Sequence, residues 1–264
     1  MSFKHITSRD NPIFKYLKKL AENARERRAE GKTLLDGVHL IEAYIQAVGE
    51  PELIIIPEGK SSLEATQLMQ HLEYVNTIMF PTLMFAELTP VATSTGILAL
   101  VLQPNIHAPV VNESLAASFI LLLEDIQDPG NLGSMLRTAL GAGVEAVYLS
   151  KGCTDAYSPK CLRGGQGAQF HLPIIEGANL LEIIQNFAGN TYATAIDGES
   201  LYAQDLTQPT AFIIGNEGAG LSAKVVQAAS HKISIPMHQS LESLNAAAAT
   251  AVCLFERRRQ IMVN

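Results

Sequence analysis

Apolar and polar residues alternate along this chain in two successive series. In the first, Ile13, Leu17, Leu20 and Ala24 recur at helical spacing behind Asn11-Pro12, with basic residues between them, which predicts an amphipathic, basic helix. Short apolar runs then predict strands at Lys32–Asp36, Glu52–Ile56, Thr77–Phe80 and Gly96–Leu102. Helical patterns fill Val38–Val48, Ser62–Leu72 and Thr82–Leu88 between them. This alternation predicts a small α/β unit over residues 1–103.

Gln103-Pro-Asn-Ile-His-Ala-Pro109 breaks the pattern with two prolines, so residues 104–114 read as a linker. A second series occupies 115–264. Its strands are predicted at Ser118–Asp125, Ala146–Leu149, Gln169–Ile174, Thr191–Ala195, Ala211–Gly215 and Lys232–Ile235, with a Gly-rich irregular stretch running to Ala168. Helices are predicted at Leu132–Gly141, Leu180–Phe187, Ser222–Ala229 and after Ser243. Strands that are apolar throughout and separated by helices imply a parallel sheet buried on both faces. Ligands of such sheets bind beyond the carboxyl ends of the strands, which directs attention to the segments after Asp125, Gly215 and Ile235.

Composition changes this picture in three respects. The longest apolar run, Ala246–Phe255, is about half of the ~20 residues needed to span a bilayer, and no apolar leader follows Met1, so a cytoplasmic protein is expected. Three cysteines without metal-type spacing point to a reducing compartment and to no structural metal. The net charge is −7, yet residues 1–32 hold nine Lys and Arg against four Asp and Glu, a local excess of +5 that leaves −12 elsewhere. A basic arm on an acidic body makes Lys15, Lys18, Lys19, Arg25 and Arg28 the candidates for meeting a polyanion.

The three loops carry the candidate chemistry. Asp128-Pro-Gly-Asn131 is a turn, and Asn131 is placed to cap the helix from Leu132, whose Leu132, Leu136 and Leu140 are expected to face the core. Asn131, Ser134 and Thr138 form a polar stripe beside Arg137. Gly215-Asn-Glu-Gly-Ala-Gly220 follows a strand with three glycines but lacks the spacing of a dinucleotide or P-loop fingerprint. Ile235-Pro-Met237 ends a strand in an irregular loop. Ser243 is expected to cap the alanine-rich helix, whose small side chains permit close packing.

Taken in order, Asn131-Leu-Gly133 with Arg137, Gly215-Asn-Glu-Gly218, and Ile235-Pro-Met237 with Ser243-Leu-Asn245 resemble the SpoU (TrmH-type) branch of the SPOUT RNA methyltransferases. The resemblance covers Ser118–Asn264. Leu34-Leu-Asp-Gly37 ahead of the helix at Val38 looks like the ribosomal-protein-type substrate-binding domain that many such enzymes carry. What the resemblance implies is an α/β fold with a trefoil-knotted C-terminal domain, a homodimer formed through it, and S-adenosylmethionine-dependent methylation of a ribose 2′-hydroxyl in structured RNA, ribosomal before transfer RNA. Gly215, Asn216, Gly218, Ile235, Met237 and Leu244 would line the cofactor pocket. Asn131, Arg137, Glu217, Ser243 and Asn245 would surround the reacting ribose. The chain departs from the family pattern at Gly165, where serine or threonine is usual, and at Gln239, where glycine is usual. A non-catalytic RNA-binding or ribosome-assembly protein on the same fold is the alternative.

Overall fold

A computed structural model describes residues 3–59, 61–89, 96–104, 106, 119–238 and 243–263. Two compact units emerge, Met1–Asn105 with Tyr157–Phe170, and Ile106–Ala156 with His171–Asn264. The predicted linker falls almost wholly outside the described residues. The excursion Tyr157–Phe170 differs from the sequence division, because it clusters with the first unit.

In the first unit, β1 (Lys4–His5), α1 (Pro12–Glu22), α2 (Ala24–Glu30), β2 (Lys32–Asp36), α3 (Val38–Ala47), β3 (Leu53–Pro57), α4 (Leu63–His71), β4 (Thr77–Phe80), α5 (Thr82–Ala86) and β5 (Leu98–Leu102) follow in order. The sheet order is β1-β4-β3-β5-β2, with β5 antiparallel to both neighbours. The single basic helix predicted from Asn11 is two helices. Asn23 ends the first, its N–H donating to Lys19 O, and starts the second, its Oδ1 accepting from the N–H groups of Arg25 and Glu26. Arg27 is buried and donates to the carbonyls of Leu20 and Ala21, satisfying the open end of α1. One of the nine cations counted in the basic arm is therefore structural.

The segment predicted to be irregular before Ala168 contains α7 (Pro159–Gly165), capped by Ser158, and a single 3-10 turn replaces the start of the strand predicted at Gln169. Gly165 has a local explanation. A Cβ there would collide with the Gln169 side chain, whose amide is fully buried and donates to Cys161 O. Gln169 thus fills the space that a hydroxylated residue would need. Thr33 on β2 donates to Tyr157 O at 2.7 Å, tying this excursion to the first unit's sheet.

The second unit holds β6 (Phe119–Leu123), α6 (Pro129–Ala142), β7 (Ala146–Leu149), β8 (Ile174–Ile175), α8 (Leu180–Asn186), β9 (Asn190–Ser200), β10 (Thr210–Ile214), α9 (Ala223–Ala228), β11 (His231–Ser234) and α10 (Ala246–Val263). Its sheet runs β11-β9-β10-β6-β7-β8 with every pairing parallel. All of β6, β7 and β10 is buried, as the continuous apolar runs require. From β6 the chain builds β7 and β8 on one side and then returns to build β9 and β10 on the other. The carboxyl ends of β6 and β10 therefore lie side by side at the point where the order reverses, the place where open parallel sheets leave a crevice.

Cys153 and Cys253 belong to this unit and Cys161 to the first, and none of the three forms a disulfide. Burial pushes the Cys253 thiol up to about 12, and burial raises Cys153 as well. The thiolate is the reactive form, so Cys161 and Cys253 are expected to stay unmodified by an aromatic disulfide at pH 8 until the chain is unfolded. Rapid labelling of either in native protein, read by mass spectrometry, would contradict this packing.

Candidate active site

Three loops leave the carboxyl ends of β6, β10 and β11, and each is shaped by short-range chemistry. After β6, Asp125 adopts φ of 54°, a left-handed conformation that aspartate tolerates better than most residues. Its N–H donates to Ser150 Oγ at 2.9 Å, and that hydroxyl donates to Asp125 Oδ1 at 2.5 Å. Asp128, not Asn131, caps α6, accepting from Asn131 N–H at 2.8 Å with Pro129 at the first helical position. The consequence is chemical, because the Asn131 side chain is left to reach across to other loops. On the helix, Leu132 and Leu136 are buried as expected, whereas Leu140 is exposed and Met135 and Ala139 take the inner positions.

The loop after β10 is held by Asn216. Its Oδ1 accepts from Gly218 and Ala219 N–H, both at 2.9 Å, while its Nδ2 donates to Asp125 O at 2.8 Å. A backbone bridge between Asn216 and Gly220 closes the turn. A Cβ on Gly215 would fall onto the backbone of Gly220 and Leu221. The glycine is needed because the loop folds back on itself at that residue.

After β11, Ile235-Pro236-Met237 leads away from the sheet, and Gln239 lies outside the described residues. The helix cap is Asn245, not Ser243: its Oδ1 accepts from Ala247 N–H at 2.9 Å and Ala248 N–H at 3.3 Å. The same side chain donates through Nδ2 to Asn131 Oδ1 at 3.1 Å.

One hydrogen-bonded chain thus joins all three loops. Glu217 accepts from the N–H groups of Gln127 (3.3 Å) and Asp128 (3.4 Å) and from Asn131 Nδ2 (3.1 Å), and Asn131 in turn accepts from Asn245. Partial burial pushes the Glu217 carboxyl up, but the donors from Asn131 and the backbone outweigh it and hold the group below its ordinary value. Truncating Asn245 to alanine is expected to cost about 1 kcal/mol as a lost cap. Asn131→Ala leaves the Asp128 cap intact. A double-mutant cycle over the pair, read by denaturant unfolding, should nonetheless give a coupling of about 0.5 kcal/mol or more, and additive effects would show the bridge to be idle.

Arg137 stands apart. It is exposed on α6 and makes no hydrogen bond or ion pair among the described residues, a cation left available to a ligand. His238 is exposed too.

Between the second and third loops lies a cavity of about 540 Å³, within the size range of small-molecule sites, about 300–1,000 Å³. Gly215, Asn216, Gly218, Ile235, Met237 and Leu244 all line it, joined by Glu217 and Ser243. Asn131, Arg137 and Asn245 do not. The sequence reading missed Thr194, Ala195, Ile196 and Asp197, which line the same cavity from the middle of β9. The rule that placed the other loops applies to this strand too, since β9 is parallel to both β10 and β11.

Residues 118–255 match the SpoU rRNA Methylase family. The chain belongs to that family. Residues 11–99 match the MRM3-like substrate binding domain. Among relatives of this SpoU methylase, the 23S rRNA (guanosine(2553)-2′-O)-methyltransferase RlmP of Bacillus subtilis is 33% identical, over 97% of this chain and 99% of that protein. The crystal structure of an RNA 2′-O ribose methyltransferase superposes with a TM-score of 0.83 at 30% identity, covering 98% of this chain and 99% of the other. The SpoU methyltransferase AviRb from Streptomyces viridochromogenes, in complex with the cofactor AdoMet, gives 0.82 at 27% identity over 96% and 98%.

SpoU methylases use S-adenosylmethionine, and the residues of this cavity fit it. Gly215 keeps the loop pinched where any side chain would spread it, and Ile233, Ile235, Met237 and Leu244 supply apolar walls.

Proposed function

We propose that this SpoU methylase transfers the methyl group of S-adenosylmethionine to a ribose 2′-hydroxyl of ribosomal RNA. The hydrogen-bonded chain Glu217–Asn131–Asn245 carries the reading, because it ties the first family loop to the two loops that line the cavity. When bound, the cofactor supplies an electrophilic methyl carbon on a sulfonium.

Most of the acceleration then comes from placing the 2′-oxygen in line with that carbon. Asn131 and Asn245 fix the rim against which the ribose is held. Arg137, always charged and without a hydrogen-bond or ion-pair partner among the described residues, grips the neighbouring phosphate and stabilises the oxygen as its proton passes to solvent water. Glu217 holds the loops together, its carboxylate accepting from three donors of the first loop. Gly215, Asn216, Gly218, Ile235, Met237 and Leu244 surround the cofactor, with Ser243 where cofactor and ribose meet.

RNA capture falls to the first unit. Lys19 and Arg25 are exposed, as is Arg28, and they support this role. Lys15 is paired with Asp10 at 2.8 Å and Lys18 with Glu87 at 2.7 Å, so those two must exchange carboxylate for phosphate. Surface pairs of this kind are weak enough for that exchange.

The same reading makes the enzyme a cytoplasmic homodimer with the trefoil knot of its family. Leu140 on α6 and Phe255, Met262 and Val263 on α10 leave apolar surface exposed, which supports pairing through the second unit. No helix among the described residues is long and apolar enough to cross a membrane. Mapping ribose methylation across ribosomal RNA from cells with and without the gene tests the proposal. One or a few 2′-O-methyl sites should disappear, and an unchanged map would overturn it.

A further inference from the structure

We propose that Asp197 binds the ribose hydroxyls of S-adenosylmethionine. The inference rests on the cofactor reading above and adds a specificity-determining carboxylate that neither the motifs nor the three loops contain. The observation behind it is an irregularity in the sheet. β11 pairs His231 with Tyr192 and Lys232 with Ala193, but Ile233 with Glu199 and Ser234 with Ser200. Residues 194–198 are therefore skipped by the pairing and form an excursion from β9, of which Thr194, Ala195, Ile196 and Asp197 line the cavity.

This excursion is built, not slack. Thr194 Oγ1 donates to Ile213 O at 3.1 Å, Ser234 Oγ donates to Gly198 O at 2.8 Å, and Lys232 Nζ donates to Asp197 Oδ2 at 2.7 Å. Gly198 lies so close to the Ile233 backbone that a Cβ would overlap it, which fixes where the excursion turns back. The fixed element delivers a carboxylate whose side chain is 77% exposed at the cavity wall.

Four other polar side chains of the wall are engaged, and the fifth, Ser243, is neutral. Thr194 and Ser234 hold the excursion, Asn216 holds its own loop, and Glu217 holds the first loop. Asp197 keeps acceptor capacity after Lys232 has taken Oδ2, because a carboxylate offers about four lone-pair sites. Three donor groups of the cofactor compete for it, the ribose hydroxyl pair, the adenine amino group and the α-ammonium. Lys232 counts against the ammonium, because it already neutralises the carboxylate and repels a second cation, and of the two neutral donors the hydroxyl pair can give a carboxylate two hydrogen bonds at once.

The test is a ligand–protein cycle on the intact chain, with affinities from calorimetry. S-adenosylhomocysteine, 5′-methylthioadenosine, which lacks the amino-acid moiety, and 2′,3′-dideoxy-5′-methylthioadenosine are titrated into the wild type and Asp197→Ala. The expected result is that Asp197→Ala weakens the first two ligands equally, by roughly tenfold or more as for a lost charge-assisted hydrogen bond, and leaves the dideoxy compound unaffected. Equal weakening of all three would make Asp197 a structural residue of the excursion or a partner of the shared adenine, and either overturns the proposal. Weakening of S-adenosylhomocysteine alone would assign the carboxylate to the ammonium, and no change would make it a bystander; either overturns it. A wild type that binds none of the three would instead bring down the cofactor reading on which the proposal stands.

Discussion

Arg137→Ala is expected to reduce methyl transfer by at least about 100- to 1,000-fold while leaving S-adenosylhomocysteine affinity within about twofold, the pattern of a lost donor to developing charge. The split follows from position. Arg137 is on α6, exposed and without a hydrogen-bond or ion-pair partner among the described residues, and it does not line the cavity. Removing it deletes no hydrogen bond or ion pair among them, so fold and cofactor site should survive. Arg137→Lys keeps the charge but not the planar fork that matches a phosphate, and should recover only part of the rate. Single-turnover transfer beside a binding titration separates the effects. An alanine variant with near-normal transfer would remove Arg137 from the chemistry.

The second large effect is expected at Gly215. Its would-be Cβ meets backbone atoms of Gly220 and Leu221, which cannot rotate away as a side chain end could. Gly215→Val must therefore open the loop that forms one wall of the cavity. Overpacking of this kind costs about 1–3 kcal/mol. Borne by the cofactor site, that is a loss of about 5- to 150-fold in S-adenosylhomocysteine affinity, since about 1.4 kcal/mol corresponds to tenfold. The six-stranded sheet does not depend on the loop, so the melting temperature should fall by no more than about 10 °C. Wild-type affinity in this variant would show that the pinched loop does not shape the site.

The second unit's sheet was legible because its strands are apolar throughout, and parallel burial leaves that signature whatever the tertiary detail. The loops were legible from turn chemistry and their order. Less so were the caps. Asn131 and Asn245 each belong to a stretch with two candidate capping residues, and short-range preference cannot tell which side chain serves the helix and which reaches elsewhere. At α6 the neighbour Asp128 caps and frees Asn131; at α10 Asn245 does both tasks at once. The division of the basic helix at Asn23 was hidden for a related reason, since the apolar spacing continues through it and only the buried Arg27 reveals the break. The β9 excursion was hidden most completely. A five-residue slip in register depends on how Gly198 meets the Ile233 backbone, a contact between residues 35 apart that no local pattern records. The packing of Tyr157–Phe170 with the first unit is long-range in the same sense.

Transfer to a ribose oxygen of RNA leaves a product that alkali can distinguish. Purified protein should be incubated with methyl-labelled S-adenosylmethionine and ribosomal RNA from cells lacking it, and the RNA then hydrolysed in alkali. A methylated 2′-oxygen cannot attack its own phosphodiester, so label is expected in alkali-resistant dinucleotides and to vanish with Arg137→Ala. Label released as mononucleotides would place the methyl group on a base and contradict the account, as would no transfer by a protein that binds the cofactor.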